Sequence, residues 1–269
     1  MRFAPAIPVA RLAVRGGGPA AGGERLAAEE VPVAIAYAGR VHAVLMATPA
    51  DIEDLAVGFT LTEGIARTAA DIGGVEVLSR RDGLVARVWL GQGRHGAPEA
   101  RRRAMAGGSG CGLCGVASLA EAVRPPPRVP PGGRFRAADV AAAMAAMGAR
   151  QELGAATRAA HAAALWRPGE GCVALREDVG RHNALDKLAG ALARAGGAGG
   201  AGGLVALSSR VSVEMVQKAA RIGAAGIVAV SAPTALAVRT AEAAGLTLVA
   251  VAREDGFEVF AGAGRLAHA

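Results

Sequence analysis

Leu204-Val205-Ala206-Leu207 decides the fold, because it opens a pattern in which an apolar strand, a polar loop and a helix follow one another. Its loop is Ser208-Ser209-Arg210, and the helix behind it carries apolar residues at helical spacing. Residues 227–230 and 246–251 repeat the strand, and residues 172–176 give an earlier one. Strands that alternate with helices predict an α/β core with a mostly parallel sheet and helices on its faces.

The polar loops of this pattern predict a ligand site. In a parallel sheet every strand-to-helix loop lies at the carboxyl edge, where ligands bind. Serine hydroxyls and helix N-termini hold phosphates well, and arginines neutralise them, so the edge favours a phosphorylated, nucleotide-like ligand. Helix capping explains each residue singly, but it explains all four loops together less well. The candidate residues of the edge are Asp178, Arg181, His182, Asn183, Ser208, Ser209, Arg210, Ser231, Thr234 and Arg253.

The first half of the chain predicts a smaller α+β domain. Residues 1–30 are rich in Gly, Ala and Pro and predict an irregular lead-in. Hairpins are predicted around Gly39-Arg40 and Asp82-Gly83, with a helix between them that Thr48 caps. The prolines of residues 124–133 disfavour regular structure and predict a linker. The predicted domains are an N-terminal α+β domain at 31–123, which ends in a cysteine loop, and an α/β cofactor-binding domain at 134–269.

The cysteine loop carries Cys111 and Cys114, a Cys-x-x-Cys pair set among glycines. Structural zinc would need two further ligands, for which Cys172 with His161 or His182 would have to serve. A deaminase zinc site is excluded, because no His-x-Glu lies upstream and no proline precedes the pair. A redox pair and a persulfide carrier rank level on chemistry alone.

Composition bounds the partners. The chain has 30 Lys+Arg against 23 Asp+Glu, but the basic residues are scattered and aromatics make up only 3%, which disfavours nucleic-acid binding. No apolar run is long enough to span a bilayer, and the N-terminus has no apolar core of a signal peptide. Three cysteines do not make a secreted disulfide framework. We therefore expect a cytoplasmic protein with neither a membrane nor a nucleic-acid partner.

Five motifs, in the same order, resemble the FdhD (NarQ) family of sulfur carrier proteins, which are needed to make active formate dehydrogenase. They are Leu55-Ala56-Val57-Gly58-Phe59 with Leu61-Thr62-Glu63-Gly64, Cys111-Gly112-Leu113-Cys114-Gly115, Glu177-Asp178-Val179-Gly180-Arg181-His182-Asn183-Ala184-Leu185-Asp186-Lys187, Glu214-Met215-Val216-Gln217-Lys218 and Val230-Ser231-Ala232-Pro233-Thr234. One departure is that Arg158-Ala159 follows Thr157, where the family usually has Gly-Gly before its His-Ala-Ala-Ala.

The resemblance implies a carrier that takes sulfur from a cysteine desulfurase. The sulfur would pass to a bis-molybdopterin guanine dinucleotide cofactor, bound as cargo for the formate dehydrogenase apoprotein, and a guanine nucleotide would mimic that cargo. It also implies a homodimer whose cytidine-deaminase-like αβα core has no intrinsic metal. By motif, Cys111 would carry the persulfide and Cys114 would assist it. The alternative function is a non-catalytic chaperone for the cofactor. The cofactor-binding segment would comprise Ala252, Arg253, Glu254, Asp255, Gly256 and Phe257.

Overall fold

The computed structural model describes residues 3–14, 20–91, 123–197 and 199–267, which form three sheets and the helices packed on the two larger ones. The first half of the chain forms β1 (Ala6–Ala13), β2 (Ala21–Ala28), β3 (Val31–Tyr37), β4 (Arg40–Ala47), α1 (Ile52–Thr62), β5 (Ile72–Arg80) and β6 (Gly83–Leu90). The second half forms α2 (Ala137–Ala149), α3 (Glu152–Thr157), β7 (His161–Arg167), β8 (Gly171–Asp178), α4 (Arg181–Arg194), β9 (Leu204–Leu207), α5 (Val213–Arg221), β10 (Gly226–Ala229), α6 (Ala235–Ala244), β11 (Thr247–Arg253) and β12 (Gly256–Ala261).

The large sheet of the second half has the strand order β12-β11-β10-β9-β7-β8 in the described part of the chain. β9, β10 and β11 pair in parallel, whereas β7 is antiparallel to both of its neighbours and β12 is antiparallel to β11. β8 therefore runs in the same direction as β9, β10 and β11, and the carboxyl ends of these four strands share one edge. The prediction of a mostly parallel sheet is wrong, because the hairpins β7–β8 and β11–β12 make the sheet mixed.

Helices cover both faces of the large sheet, because its strand residues alternate between two buried clusters. In β9, Val205 and Leu207 pack in the cluster that includes α4, α5 and α6. Leu204 and Ala206 pack in the other cluster, together with Met147 of α2. This layering agrees with the predicted helices on both faces, while the likeness to cytidine deaminases stays a prediction.

The small sheet of the first half has the order β4-β3-β6-β5, with β3 parallel to β6. α1 covers it through Leu55 and Phe59, which share a buried cluster with Val33, Ile35 and Val88. The two predicted hairpins are confirmed as β3–β4 and β5–β6.

The predicted start of α1 is wrong in detail. The N-cap residue is Asp51 rather than Thr48, and Asp51 makes no side-chain capping bond. The hydroxyl of Thr48 instead accepts a hydrogen bond of 3.1 Å from the N–H of Val179, in the second half of the chain. A capping residue was therefore predicted where the fold uses a tertiary contact.

Residues 1–30 are not the predicted irregular lead-in, because β1 and β2 form an antiparallel pair from Ala6↔Ala28 to Ala13↔Ala21. β1 contains a proline and β2 contains two glycines, residue types that are depleted in strands. The backbone groups nevertheless pair with each other, since a ladder satisfies them whatever the side chains are.

The two halves meet where α1 crosses α4 at two glycines. A Cβ atom on Gly58 would run into the carbonyl group of Asp186, and one on Gly190 would run into that of Asp54. The two backbones can therefore approach this closely only because neither position has a side chain.

Residues 124–132 contain no helix or strand, as the prolines predict. They nevertheless contact the second half, since Val129 is buried and its N–H donates to the carbonyl of Ala244 at 2.8 Å. The domain boundary at 124–133 stays a prediction. Among the helices of the described ranges, none is long and apolar enough to cross a membrane.

Candidate functional site

The carboxyl edge of the large sheet is the candidate site in the described part of the chain. Asp178 ends β8, Ser208 follows β9, Ser231 lies just beyond β10 and Arg253 ends β11. His161 joins them, because it opens β7 and pairs with Asp178 in register. The strands thus bring four of the predicted loops to one edge, and that these loops bind a ligand stays a prediction.

The two cysteines predicted to carry sulfur, Cys111 and Cys114, lie outside the described residues. Their role stays a prediction from the sequence.

Asp178 and Asn183, both predicted to bind the cofactor, lie in an interior network instead. Asp178 is fully buried, and its Oδ2 atom lies 2.6 Å from Nζ of the equally buried Lys187. The same oxygen accepts from the N–H of Thr48 at 3.0 Å, while Oδ1 accepts from Asn183 Nδ2 at 3.0 Å and from the N–H of Gly180 at 2.8 Å. With its oxygens so occupied, Asp178 joins β4 to α4 rather than facing a ligand.

A second interior network ties α1 to α4 and α5. Lys218 Nζ lies 2.8 and 2.9 Å from the two carboxylate oxygens of Asp186 and 3.2 Å from Glu63 Oε1. Thr62 Oγ1 donates to Asp186 Oδ1 at 2.5 Å. Burial raises the pKa of Asp186, and the nearby ammonium group opposes that effect. The carboxylate needs the lysine because it is cut off from water.

Both networks were missed at the sequence level. The chain contains only two lysines, Lys187 and Lys218, among 30 basic residues. Both are buried in ion pairs with acids of the second half. Each also reaches the first half, Lys187 through the carbonyl of Thr48 and Lys218 through Glu63. The rarity of lysine in an arginine-rich chain was the available signal.

The hydroxyls of the edge are largely engaged by nearby backbone. Ser208 Oγ accepts from the N–H of Ala162 at 2.8 Å, and Thr234 caps α6 by accepting from the N–H of Ala237 at 3.2 Å. Ser209 is buried, and its hydroxyl donates to the carbonyl of Arg210. Backbone hydrogen bonds thus account for these three hydroxyls, while the Arg210 side chain lies exposed beside them.

The segment from Ala252 to Phe257 forms the hairpin between β11 and β12. Arg253 pairs with Gly256 across a turn made by Glu254 and Asp255, and all four residues are exposed. Ala252 and Phe257 anchor the hairpin by packing in the cluster on the α2 side of the sheet. The packed ends hold the hairpin in place, and its turn exposes the guanidinium group of Arg253 and the carboxylates of Glu254 and Asp255.

A backbone irregularity positions this hairpin. The β11–β12 register shifts between Ala250 and Arg253, and Val251 within that bulge has φ 51. Positive φ is costly for a β-branched residue, so the bulge holds strained backbone. Bulges of this kind commonly redirect side chains beside a site.

His161, Arg181 and His182 lie together where α4 begins. Burial lowers the pKa of His161, and the charges of Arg181 and His182 add to that effect. Burial also lowers the pKa of His182, against a neighbouring carboxylate, Glu214, that favours its charged form. Both imidazoles are therefore held toward the neutral form.

The geometry excludes a zinc site built with Cys172. His161 pairs with Asp178, whereas Cys172 pairs with Trp166 at the other end of the β7–β8 hairpin. At about 3.3 Å per residue this separation is roughly 20 Å, far beyond the reach of a shared metal ion. Since His182 lies at the same edge as His161, neither histidine can complete a ligand set with Cys172.

Together, the fold and the edge define an α/β protein with two main sheets, and with a charged hairpin and two histidines at one edge of the larger sheet. The model of the FdhD/NarQ family matches residues 28–267, so the chain belongs to the FdhD/NarQ family.

Known relatives cover nearly the whole chain. A protein named sulfur carrier protein FdhD from Agrobacterium fabrum is 51% identical over 259 residues, which cover 96% of this chain and 95% of the relative. A protein of the same name from Brucella abortus is 49% identical over 243 residues, or 90% of each chain. The crystal structure of a protein described as a formate dehydrogenase accessory protein from Desulfotalea psychrophila is 26% identical, with a TM-score of 0.77 and coverage of 98% of this chain and all of that one.

Arg158, which stands where the family usually has glycine, keeps a glycine-like backbone. It ends α3 with φ 58 and ψ 26, in the left-handed region. That conformation costs a residue with a side chain about 1–2 kcal/mol. Arginine therefore keeps the backbone conformation that a glycine would adopt at this position, but with added strain.

Proposed function

We propose that this protein is a sulfurtransferase that acts as a sulfur carrier for formate dehydrogenase. It takes sulfur from a cysteine desulfurase as a persulfide on Cys111 and delivers it to the bis-molybdopterin guanine dinucleotide cofactor. The observation that carries the proposal is the 51% identity to a named sulfur carrier protein across 96% of the chain. The family match at 28–267 includes Cys111 and Cys114.

The carboxyl edge supports the cargo half of the proposal. The guanine nucleotide ends of the cofactor carry phosphates, and exposed Arg210 and Arg253 offer guanidinium groups of the kind that bind phosphate bidentately. Asp255 is exposed beside Arg253 and offers a carboxylate to the N–H groups of a guanine base. The chain's own residues thus fit a guanine nucleotide in charge and in hydrogen-bonding capacity.

The roles of the cysteines follow from their chemistry. The thiolate of Cys111 attacks the outer sulfur of a persulfide on the desulfurase, whose own S–S bond breaks so that its cysteine leaves as a thiolate. The transferred sulfur is then held as a persulfide on Cys111, and Cys114 is close enough in sequence to assist its release. The partners in the proposal are a cysteine desulfurase and the formate dehydrogenase apoprotein. A second copy of this chain completes a homodimer in the cytoplasm.

The persulfide proposal is tested by mass spectrometry after incubation with a cysteine desulfurase and cysteine. We expect one added sulfur atom on Cys111, which a reductant removes. Cys111→Ala should lose the adduct, whereas the control variant Cys172→Ala should keep it, because Cys172 lies at the far end of the β7–β8 hairpin. An adduct that persists in Cys111→Ala, or no adduct in the wild type, would contradict the proposal.

Complementation separates the carrier from the cofactor chaperone. If the protein only holds the finished cofactor, Cys111→Ala should restore formate dehydrogenase activity to a strain that lacks this protein. If it carries sulfur, that variant should restore none, although it still binds a guanine nucleotide.

A further inference from the structure

Two helix N-termini converge at a polar cluster beside the candidate site. His182 lies in the first turn of α4, and Glu214 lies in the first turn of α5, whose N-cap residue is Ser212. His182 Nε2 is 3.9 Å from Glu214 Oε2, which is within ion-pair range but longer than a hydrogen bond. His182 Nε2, Ser212 Oγ and Glu214 Oε2 are buried, with no hydrogen-bond partner among the described residues.

The burial of this cluster is uneven. The Glu214 side chain is 8% exposed, whereas that of His182 is 14% exposed. Ser212 is 8% exposed. A carboxylate that faces one ring nitrogen fixes the tautomer of an imidazole, because the proton settles on the nitrogen that faces the carboxylate. Glu214 therefore favours a proton on Nε2, which leaves Nδ1 of the neutral ring as the hydrogen-bond acceptor.

The charges around His182 come from several elements. Glu214 and Lys218 act on it from α5, Arg181 acts from its own helix, and His161 lies nearby at the start of β7. The other elements packed against α4 bring acids that are already paired. In β8, Asp178 is held by Lys187, and in α1, Asp54 is held by Arg176 and Arg194.

We propose that His182 is a proton-coupled anchor for a phosphate group of the ligand, and that Glu214 is the positioning residue that makes this coupling work. When a phosphate binds, His182 Nδ1 takes up a proton from solvent and donates it in a hydrogen bond to a phosphate oxygen. Nε2–H remains directed at Glu214, so the imidazolium lies between two anions. This proposal rests on the proposed function, since it assumes that the phosphorylated cargo binds at this edge.

The electrostatics of the free protein agree with such a device. Burial lowers the pKa of His182, so the ring is neutral near neutral pH while the site is empty of anion. Burial acts to raise the pKa of Glu214, but nearby His182 and Ser212 outweigh it and leave that pKa below its ordinary value. An incoming anion favours the charged imidazole, and by linkage a lower pH strengthens anion binding.

The test measures the pKa of His182 by NMR, in the full-length protein, with and without saturating inorganic pyrophosphate. We expect pyrophosphate to raise the pKa of His182 by about 1 to 3, the size typical of an opposite charge within 4–6 Å. As the pH rises, pyrophosphate binding should also weaken in the wild type, because one proton is linked to binding. This weakening should exceed that of His182→Asn by up to about tenfold per pH unit. Pyrophosphate binding with an unchanged pKa of His182 would overturn the proposal, as would the absence of binding.

Matched variants separate positioning from folding. Arg80→Ala, at an exposed arginine in the first half, should keep the proton linkage that His182→Asn loses. Glu214→Gln should lower the pKa of His182 further and weaken pyrophosphate binding near pH 6.5, and Glu214→Asp should restore part of both. If Glu214→Gln folds and leaves the pKa of His182 unchanged, Glu214 has no positioning role. The NMR measurement does not involve Cys111, so a failed persulfide assay and a failed pKa shift are distinguishable results.

Discussion

The junction between the two halves and the carboxyl edge share the motif at 177–187, but they differ in the burial of their charged side chains. At the junction, Asp178 and Lys187 are fully buried and bind each other. At the edge, Arg210 and Arg253 are exposed to solvent. The motif at 177–187 therefore serves both regions, because one face of α4 packs against the first half while its first turn reaches the edge.

The difference has an energetic reason. A buried charge loses its hydration, and only a close partner with further hydrogen bonds offsets that cost. Asp178 has such a partner in Lys187, and backbone N–H groups occupy its remaining lone pairs. An exposed charge keeps its water and remains available to a ligand. Polar residues of neighbouring segments can thus stabilise the fold or stay available to a ligand, according to burial.

The strongest test of the comparison breaks the junction at Lys187. Lys187→Met keeps the length of the side chain but leaves the Asp178 carboxylate buried without its cation. We expect the free energy of unfolding to fall by about 3–5 kcal/mol, as measured by urea denaturation. The double variant Asp178→Asn/Lys187→Met should recover much of that loss, because no buried charge remains. A single variant as stable as the wild type would show that Asp178 is not held as the structure indicates.

The second test concerns the glycine crossing of α1 and α4. In Gly58→Ala the added methyl group meets the carbonyl of Asp186, so the helices must separate. We expect the free energy of unfolding to fall by about 1–3 kcal/mol. Gly148→Ala in α2 is the matched control, because nothing lies within 4 Å of its added Cβ atom. That control should gain about 0.5–1 kcal/mol from helix propensity.

The third test moves to the strained backbone that leads into the edge. Arg158 has φ 58, so Arg158→Gly relieves the left-handed strain. The greater freedom of glycine in the unfolded chain offsets part of this relief. The net gain in the free energy of unfolding should therefore be about 1 kcal/mol. Arg158→Ala removes the same guanidinium group without relieving the strain, so it should show no such gain in thermal or urea unfolding. Equal behaviour of the two variants would locate the effect in the side chain.

Much of the second half could be predicted from local pattern. The apolar runs that become β9, β10 and β11 are short and bounded by polar loops, and the intervening helices carry apolar residues at helical spacing. Because parallel strands end at a common edge, their loops could be grouped from the order of strands and helices alone. β7 was not predicted, because its alanines at 162–164 give no alternation by which to recognise a strand.

The partner of each polar side chain could not be predicted from the sequence. Asp178 was predicted to face a ligand, but its partner Thr48 lies 130 residues earlier in the chain. Thr48 in turn was predicted to cap a helix, because capping rules consider only neighbours along the chain. Both errors come from tertiary contacts between the halves, and such contacts leave no spacing signal in either segment.

The smallest expected change in stability comes from the open side of the comparison. Arg253→Ala removes an exposed side chain, so the free energy of unfolding should stay within about 0.5 kcal/mol of the wild type. Guanosine diphosphate, used as a mimic of the cargo, should nevertheless bind about 10–100-fold more weakly by calorimetry, because a charge-assisted hydrogen bond is lost. Arg80→Ala, at an exposed arginine in the first half, is the control and should change neither quantity.

The two readouts of Arg253→Ala decide whether the edge and the junction differ in kind. A large loss of stability would mean that Arg253 is a structural residue like Lys187, and the contrast between the regions would fail. Unchanged stability with unchanged nucleotide binding would show that Arg253 of the β11–β12 hairpin does not bind the nucleotide. Weaker nucleotide binding at unchanged stability is the one result that fits an edge whose exposed charges bind a ligand. In that case Arg253 stabilises the complex and not the fold.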